Sequence, residues 1–264
     1  MNILESILDN KRHETELLKK ELPIERLRDI SGFSRKCISM RAALNASAPA
    51  IIAEVKKASP SKGVICENFD HRVIARDYVD AGASALSVLT DKEFFQGDIH
   101  YIDDIRDDIS IPILRKDFII DTYQLSEAKA FGADAVLLIA ACLGKEQLRE
   151  FHIEAEELGL ECLVEVHNEA ELESLDMALV KIIGINNRNL EDFSVDLNTS
   201  IRLSAIIPSG ITKVSESGIS SRREIDLLMQ NGINAVLVGE SLIRASNPGD
   251  ALRSLLTPRR KNKV

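Results

Sequence analysis

From residue 50 onward, short apolar runs alternate with amphipathic stretches. Each run is rich in Val, Ile, Leu and Ala and is short enough to form one β-strand. The starts of successive runs lie 20 to 34 residues apart, which is the length of one β-loop-α unit. The eight runs are IIAEVKK at 51, ALSVLTD at 85, PILRKDF at 112, AVLLIAA at 135, ECLVEVH at 161, KIIGINNRN at 181, ITKVSESG at 211 and AVLVGES at 235. The pattern predicts eight strands, each followed by helical structure.

The stretches between the runs have the apolar spacing of helices, as in HRVIARDYVDAGA and EQLREFHIEAEELGL. Glycines near their ends are expected to terminate the helices: Gly82, Gly132, Gly159 and Gly232. Eight such units in 264 residues predict an α/β fold of the (β/α)8 (TIM) barrel type. The alternative is a doubly wound open sheet, which usually has fewer strands and a glycine-rich turn after the first one. Here that turn reads ASPSKG, so we favour the barrel.

The first 48 residues lie outside the repeat. ILESILDNKRHETELLKK has the pattern of an amphipathic helix that Pro23 stops, and a second helical segment is expected to run to about Asn45. We expect these segments to cover one end of the barrel. The predicted organisation is a single barrel domain over 1–264, with residues 1–48 as a helical extension packed on it.

Composition narrows the possible partners. The net charge of −9 and a pI near 5.2 argue against nucleic acid or an anionic membrane. No apolar run approaches the ~20 residues of a membrane helix, and the first residues lack the apolar core of a signal peptide. The four cysteines have neither C-x-x-C nor metal-ligand spacing: Cys37, Cys66, Cys142 and Cys162. We therefore expect a soluble, monomeric cytoplasmic protein with reduced thiols, and a solvated basic tail at 259–263.

The first apolar run continues into AEVKKASPSKG, which places charged residues at the end of a core strand. Side chains alternate along a strand, so Glu54 and Lys56 point to the same side. In a barrel of parallel strands the active site lies at the carboxyl ends of the strands. Glu54 and Lys56 would therefore project into that site. The loop that follows, 58–68, combines glycine and proline, and we expect it to close over a bound ligand.

Other strand ends carry similar groups. They are Arg115, Lys116 and Asp117; Glu165 and His167; Asn186, Asn187 and Arg188; and Ser215, Glu216 and Ser217. A strand also becomes polar simply because it meets a loop, but the whole set together favours a polar pocket. Gly218 and Gly239 follow the seventh and eighth strands, where barrels commonly bind phosphate through backbone N–H groups. The alternative is that these turns merely need glycine. We favour a phosphorylated small molecule as the ligand.

With these residues assembled, the chain resembles the indole-3-glycerol-phosphate synthase family of tryptophan biosynthesis. The motifs that carry the resemblance are AEVKKASPSKG (53–63), LTDKEFFQG (89–97), ILRKDF (113–118), LVEVH (163–167), GINNRNL (184–190), SESGI (215–219) and VGESL (238–242). The resemblance implies ring closure of 1-(2-carboxyphenylamino)-1-deoxyribulose 5-phosphate to indole-3-glycerol phosphate, with loss of carbon dioxide and water. It implies no metal and no organic cofactor.

The resemblance also implies roles for individual residues. Lys116 would be the general acid of ring closure, and Lys56 would lie beside the same oxygen and the phosphate, with the division of labour between the two lysines left open. Glu165 would be the base in the dehydration. Glu54 and Asn186 would hold the lysines and the substrate hydroxyls. A carboxylate beside a lysine favours the charged, proton-donating form of the amine.

The remaining implied contacts are with substrate. Arg188 and Ser59 suit the anthranilate carboxylate. The implied ring wall is Phe95, Phe118 and Leu138, although core packing is an alternative for all three. Further implied site residues are Glu216 and Ser217 as polar contacts, and Gly218, Gly239 and Glu240 in the phosphate loops. Some family members have Ser or Thr where Glu240 stands, so only a backbone contact is expected there. His167 is expected to be a bystander at the pocket rim.

Two other functions were considered. A phosphoribosylanthranilate isomerase needs a Cys/Asp acid–base pair at the strand ends, and no strand end offers one. A barrel that binds a phosphorylated ligand without turning it over would be expected to lack Lys116 or Glu165, and both are present.

Overall fold

The computed structural model describes residues 3–190 and 192–258. Eight parallel strands form a closed barrel in which each strand pairs with the next and β1 pairs with β8. The strands are β1 (Ala50–Val55), β2 (Ala85–Leu89), β3 (Ile113–Lys116), β4 (Ala135–Ile139), β5 (Glu161–Val166), β6 (Ile182–Asn186), β7 (Thr212–Glu216) and β8 (Ala235–Val238). The predicted (β/α)8 barrel is confirmed, and all eight predicted runs contain a strand. The predicted basic tail at 259–263 lies outside the described residues.

Helices follow the strands as the apolar spacing predicts. The α-helices are α1 (Ile3–Glu21), α2 (Ile24–Arg28), α3 (Met40–Asn45), α4 (His71–Asp80), α5 (His100–Arg106), α6 (Tyr123–Ala130), α7 (Lys145–Glu157), α8 (Glu169–Glu173), α9 (Asn198–Ser204), α10 (Arg222–Gln230), α11 (Glu240–Ile243) and α12 (Pro248–Leu256). The four glycines expected to end helices all have positive φ, between 76° and 97°. No helix within the described ranges has both the length and the apolar character needed to cross a membrane.

The alternation of side chains along the strands divides the core into two layers. Inward residues such as Ile52, Leu114 and Leu137 fill the barrel interior. Outward residues such as Ile51, Val136 and Val164 pack in the layer between the strands and the surrounding helices. Because the period is two, each strand sends every second residue toward the barrel axis. At the carboxyl ends, that inward series continues into polar residues.

The N-terminal extension differs from its prediction. The second helical segment is not continuous: α2 and α3 are separated by a 3-10 turn at Ser31–Ser34. Gly32 in this turn lies so close to the carbonyl of Ala130 that a side chain there would collide with it. The tight contact fixes the chain against α6, and Ser39 then caps α3 by accepting a hydrogen bond from the Ala42 amide (3.1 Å).

The extension also contacts both ends of the barrel rather than one. In α3, Met40 and Leu44 are fully buried against the amino-terminal ends of the strands. In α1, Ile3, Leu4 and Ile7 reach the opposite end and line the cavity there. The extension therefore contributes to the wall of the cavity as well as to the floor of the barrel.

Candidate active site

A cavity of about 440 Å³ opens at the carboxyl ends of the strands. Four polar residues at the strand ends do not line it: Arg115, His167, Asn187 and Ser215. All but one of the residues that the family resemblance implies for the site do line it. These lining residues are Glu54, Lys56, Ser59, Phe95, Lys116, Phe118, Glu165, Asn186, Arg188, Glu216, Ser217, Gly218, Gly239 and Glu240. They come from seven of the eight strands or the loops that follow them.

The exception is Leu138, whose predicted place in the ring wall is wrong. Leu138 is fully buried in the outer core layer, against the helices. Its neighbours Leu137 and Ile139 point inward and line the cavity instead. The error is a register error of one residue, which exchanges the two faces of a strand.

At the end of β1, Glu54 and Lys56 form a direct ion pair, with 2.5 Å between Lys56 Nζ and Glu54 Oε1. Glu54 is buried, and although burial raises the pKa of its carboxyl, Lys56 and Lys116 lower the pKa by more, so that it lies below its ordinary value. A side chain at Gly239 would collide with the Glu54 carboxylate. Gly239 therefore leaves space for the Glu54 side chain. This is a second reason for a glycine at this position, in addition to the predicted phosphate contact.

Lys116, at the end of β3, lies among the carboxylates of three other strands. We call Lys116, Glu54, Glu165 and Glu216 the Lys116 cluster. Lys116 Nζ lies 3.6 Å from Glu165 Oε2 and 3.8 Å from Glu216 Oε2. Burial alone would lower the pKa of the lysine, but the carboxylates of Glu165, Glu216 and Glu54 together raise the pKa above its ordinary value. Lys116 is therefore charged and is a potential proton donor.

The two oxygens of Glu165 have different surroundings. Oε1 accepts a hydrogen bond from Asn186 Nδ2 (3.2 Å) and lies 3.3 Å from His167 Nε2. Oε2 has no hydrogen-bond partner within the described part of the chain, and it faces Lys116. Burial alone would raise the pKa of the Glu165 carboxyl. Lys116, His167 and Asn186 lower this pKa by a larger amount, so it lies well below its ordinary value. The carboxylate is thus ionised, with Oε1 held by Asn186 and Oε2 turned toward Lys116.

The pKa of Glu216 is shifted in the opposite direction to that of Glu165. Burial and the neighbouring carboxylates of Glu165 and Glu54 raise the pKa of Glu216 to about 8, against the opposing effect of Lys116. Its side chain passes over Gly184 of β6, where any larger residue would collide with the Glu216 carboxylate. Three carboxylates around one lysine thus divide into two that ionise readily and one that tends to keep its proton.

His167, which is expected to be a bystander at the pocket rim, does not line the cavity but lies against the Glu165 carboxylate. Its ring lies between Glu165 and Glu171, with Nδ1 3.1 Å from Glu171 Oε2. Sequence pattern could not reveal this contact, because Glu171 belongs to the short helix α8 and its direction depends on the cap that Asn168 forms.

Aromatic and polar groups form the rest of the wall. The rings of Phe95 and Phe118 lie with their centroids 6.3 Å apart and border the same side of the cavity. Across β6, the Arg188 amide donates to Asn186 Oδ1 (3.0 Å), and Arg188 Nη1 donates to the carbonyl of Phe193 (3.2 Å). These bonds fix the backbone at the end of β6 and orient the arginine along the loop that follows.

The turns after β7 and β8 border the remaining side. Ser217 and Gly218 both have positive φ (67° and 78°), and a side chain at Gly218 would collide with Val195. Glu240 begins α11, and Arg244 Nε donates to its carboxylate (3.0 Å). Arg244 also lines the cavity. The negative charge that Glu240 brings to this side is therefore paired with Arg244, a partner that sequence reasoning missed.

A second group of buried charges adjoins the cavity, and two of its members, Asp91 and Asp117, also line it. Lys11 of α1 contacts Asp91 (2.9 Å) and Asp117 (3.0 Å), and Arg115 contacts Asp117 (3.2 Å) and Glu127 (2.7 Å). We call these five residues the Lys11 network. Sequence reasoning missed Lys11, although it occupies the buried stripe of α1 together with Ile7 and Thr15. In the residues that the structure describes, no group of His, Cys, Asp or Glu side chains is arranged to hold a metal ion.

The fold and this cavity define the class of the protein: a (β/α)8 barrel with a charged, aromatic-walled pocket at the carboxyl ends of its strands. A sequence profile of the indole-3-glycerol phosphate synthase family matches residues 4–255. The chain belongs to the indole-3-glycerol phosphate synthase family.

Relatives with this description are similar over nearly their whole length. The indole-3-glycerol phosphate synthase of Desulfotalea psychrophila is 45% identical, over 97% of this chain and 99% of the relative. That of Salinibacter ruber is 47% identical, over 97% of this chain and 95% of the relative. That of Polynucleobacter asymbioticus is 51% identical over a shorter region, 80% of this chain and 79% of the relative.

Solved structures with lower identity share the fold. The 3-hexulose-6-phosphate synthase of Salmonella typhimurium superposes with a TM-score of 0.64 at 15% identity, covering 78% of this chain and 96% of that one. A chain of the tryptophan synthase complex of Pyrococcus furiosus superposes with a TM-score of 0.57 at 17% identity, covering 78% and 97%. At these identities the likeness concerns the barrel alone.

Proposed function

We propose that this protein closes the indole ring of 1-(2-carboxyphenylamino)-1-deoxyribulose 5-phosphate and releases indole-3-glycerol phosphate, carbon dioxide and water. Family membership supports this reaction. The observation that carries the proposal is the Lys116 cluster, in which a charged lysine faces a cavity walled by two phenylalanine rings. The reaction needs a proton donor beside a carbonyl oxygen and an apolar surface for the anthranilate ring, and the cavity offers both.

Ring closure begins when the ring carbon that bears the carboxylate attacks the carbonyl carbon of the ribulose chain. Negative charge then develops on the carbonyl oxygen, and Lys116 donates a proton to it. The bond between the ring carbon and the carboxylate breaks, and carbon dioxide leaves. Because Lys116 is held among carboxylates, it enters this step protonated.

Dehydration completes the indole. The hydroxyl group made from the carbonyl oxygen takes up a proton from one of the two lysines and leaves as water, while a base removes a proton from the new ring. Glu165 is suited to this role because the residue lines the cavity and its Oε2 has no hydrogen-bond partner in the described residues, whereas Oε1 is held by Asn186. Lys56 forms a direct ion pair with Glu54 at the end of β1. We propose that Lys56 contacts the carbonyl oxygen and the phosphate of the substrate, and that both lysines stabilise the charge that develops on the oxygen.

The rest of the cavity suits the ends of the substrate. Arg188 and Ser59 would bind the anthranilate carboxylate, and Phe95 and Phe118 would flank the ring. The phosphate would lie against the turns at Gly218 and Gly239. Ser217 and Glu216 would form hydrogen bonds with the ribulose hydroxyls. In its protonated form, Glu216 can donate such a bond as well as accept one.

The family match and the relatives support this function over the two alternatives, the isomerase and the non-catalytic barrel. We further propose a monomeric cytoplasmic enzyme, built as one domain with the N-terminal extension as an integral part, that needs neither metal nor organic cofactor.

The test is turnover with the deoxyribulose phosphate as the only added reactant. Purified protein should form indole-3-glycerol phosphate, detected by the indole absorbance and by mass spectrometry, with one carbon dioxide released per product. A sample treated with a metal chelator should react at the same rate. If no indole product forms from a folded sample, the proposed function is wrong; if chelation stops the reaction, the cofactor-free assignment is wrong.

A further inference from the structure

The chemistry of an imidazole ring constrains the state of His167. A neutral imidazole has one nitrogen that donates and one that only accepts. In His167, Nδ1 is hydrogen-bonded to Glu171 Oε2 at 3.1 Å, and Nε2 lies 3.3 Å from Glu165 Oε1 without forming a hydrogen bond in the described residues. Each ring nitrogen therefore lies beside a carboxylate oxygen, and in either neutral tautomer one unprotonated nitrogen would lie beside a negative charge. Only the imidazolium places a protonated nitrogen beside both carboxylates.

The outer carboxylate is fixed by its own contacts. Glu171 Oε2 accepts the His167 backbone N–H (2.8 Å), and Glu171 Oε1 accepts Asn168 Nδ2 (2.7 Å). Asn168 in turn caps α8 by accepting the Glu171 amide (2.9 Å). The histidine ring is thus attached to a carboxylate that cannot turn without breaking the start of α8, and 91% of the side chain is shielded from solvent.

The inner carboxylate gains orientation from this arrangement. Glu165 Oε1 accepts a hydrogen bond from Asn186 and lies beside His167, and Oε2 is left turned toward Lys116. We propose that His167, as an imidazolium held by Glu171, is a positioning residue that fixes the Glu165 carboxylate with Oε2 toward the substrate and keeps it ionised. This proposal rests on the role assigned to Glu165 in the proposed function.

The charged groups around the ring agree with this state. Glu165 faces it from β5 and Glu171 from α8, and the same two carboxylates also act on Cys142 in the 3-10 turn Ala140–Cys142 after β4. Burial, with smaller contributions from the two carboxylates, raises the pKa of the Cys142 thiol to about 12, so this thiol is neutral. Burial lowers the pKa of His167, but the two carboxylates raise it by more, to about 10. His152 is the contrast: it is also buried, and there burial lowers the pKa.

The direct test is the charge of His167 in the ligand-free protein. Two-bond ¹H–¹⁵N spectra of ¹⁵N-histidine-labelled protein separate neutral from charged rings, and His167→Asn assigns the signal by its loss. His167 should remain an imidazolium at pH values well above the ordinary histidine pKa of about 6.5, while His152 is neutral in the same spectra. A neutral His167 near pH 7 would overturn the proposal, and this result would stand whatever the protein catalyses.

The kinetic test separates positioning from mere packing. In His167→Asn, kcat should fall about tenfold or more with KM nearly unchanged, because the residue acts through Glu165 rather than on substrate. The acid limb of the kcat profile should move to higher pH, because Glu165 loses a cation that lowers its pKa. Glu171→Gln should move the limb in the same direction by less, and His152→Asn should leave it in place. An unmoved limb in a folded, active His167→Asn enzyme would contradict the role.

Discussion

Two groups of buried charge share strand β3, and they are built in opposite ways. Arg115 and Asp117 point outward into the Lys11 network, where the four ion-pair distances fall between 2.7 and 3.2 Å and the side chains are at most 4% exposed. Lys116, between them in sequence, points inward and lies 3.6 and 3.8 Å from its nearest carboxylates, with 17% of its side chain exposed. Arg115 and Asp117 therefore belong to a closed network, whereas Lys116 between them belongs to an open cluster.

The difference follows from what each group must do. In the Lys11 network the charges are enclosed, so each must be paired closely to offset its desolvation. Thr90 Oγ1 and the Phe94 amide supply further hydrogen bonds to Asp117 and Asp91 (2.6 and 2.8 Å). Within the described residues, both groups contain buried carboxylate oxygens without a hydrogen-bond partner: Asp91 Oδ2 and Glu127 Oε2 in the Lys11 network, and Glu165 Oε2 and Glu216 Oε1 in the Lys116 cluster. The two groups differ instead in ion-pair distance and in exposure. The Lys116 side chain is held at longer distances and is partly exposed at the cavity, so the open cluster is the one suited to chemistry.

The largest effect is expected from Lys116→Met, which keeps the length of the side chain and removes the proton donor. Losing a general acid typically costs between 10² and 10⁴ in rate, and we expect kcat to fall about a thousandfold while substrate still binds. Single-turnover kinetics with excess enzyme would measure the ring-closure step directly. Turnover within a few fold of wild type would remove Lys116 from the acid role.

Glu165→Gln is expected to come next, with kcat lowered about a hundredfold. Because decarboxylation precedes the final dehydration, the reaction should stall late, after carbon dioxide has left. Quenched-flow samples should then contain a decarboxylated intermediate that is not yet an indole. Normal product formation without such an intermediate would show that another group is the base.

Lys11→Met tests the closed network. It leaves Asp91 and Asp117 buried without their shared cation, and breaking a buried pair in this way costs about 3 to 5 kcal/mol. The free energy of unfolding, measured with urea, should fall by about 3 kcal/mol or more. At low temperature, where the variant is still folded, kcat should change far less than in Lys116→Met. A loss below about 1 kcal/mol would mean that the network does not hold α1 in place.

The stability of Lys11→Met should also depend on pH differently from that of the wild type. Burial raises the pKa of the Asp117 carboxyl, but Lys11, Arg115 and Thr90 lower it to about 2. Stability from this group is therefore present above its unfolded pKa of about 3.8 and is lost as pH falls toward 2, for a total of about 2 kcal/mol. The stability gap between wild type and Lys11→Met should narrow as pH falls through this window. A constant gap would mean that Lys11 does not act through Asp117.

The smallest effect concerns the loop at 58–68, which contains a short antiparallel ribbon of Ala58–Ser59 and Gly63–Val64. We expect it to be more mobile than the other loops after strands and to become ordered over ligand. Gly63 has φ +64°, which proline cannot adopt, so Gly63→Pro should lower kcat several fold and the melting temperature only slightly. Gly144→Pro, at φ −66°, is the matched control. Equal hydrogen exchange of 58–68 with and without product would make the loop a fixed wall.

The barrel and most of the pocket could be predicted because both follow local rules. Strand alternation places Glu54, Lys116 and Glu165 on the inner side, and parallel strands bring their carboxyl ends together. Leu138 fails by a single residue, because the apolar run AVLLIAA carries no polar position to fix its register.

The remaining features depend on partners distant in sequence. Lys11 pairs with Glu14 three residues along α1 (2.7 Å), but its two buried carboxylates lie 80 and 106 residues away, and nothing near it in the chain reveals them. Gly184 and Gly239 are small because carboxylates from other strands pass over them. A glycine inside a strand does hint at a close approach, and Gly184 could have been recognised in that way, but its partner Glu216 could not.

The most direct test of the contrast between the two groups is the free energy of unfolding of Lys116→Met without ligand. Because Lys116 borders the cavity and its neighbour Glu216 readily takes up a proton, we expect a smaller loss than in Lys11→Met, even though catalysis is nearly lost. Lys11→Met, measured alongside, should lose about 3 kcal/mol or more. If Lys116→Met is destabilised as strongly as Lys11→Met, then the Lys116 cluster holds the barrel together as the Lys11 network does, and the division between an open functional cluster and a closed structural one is wrong.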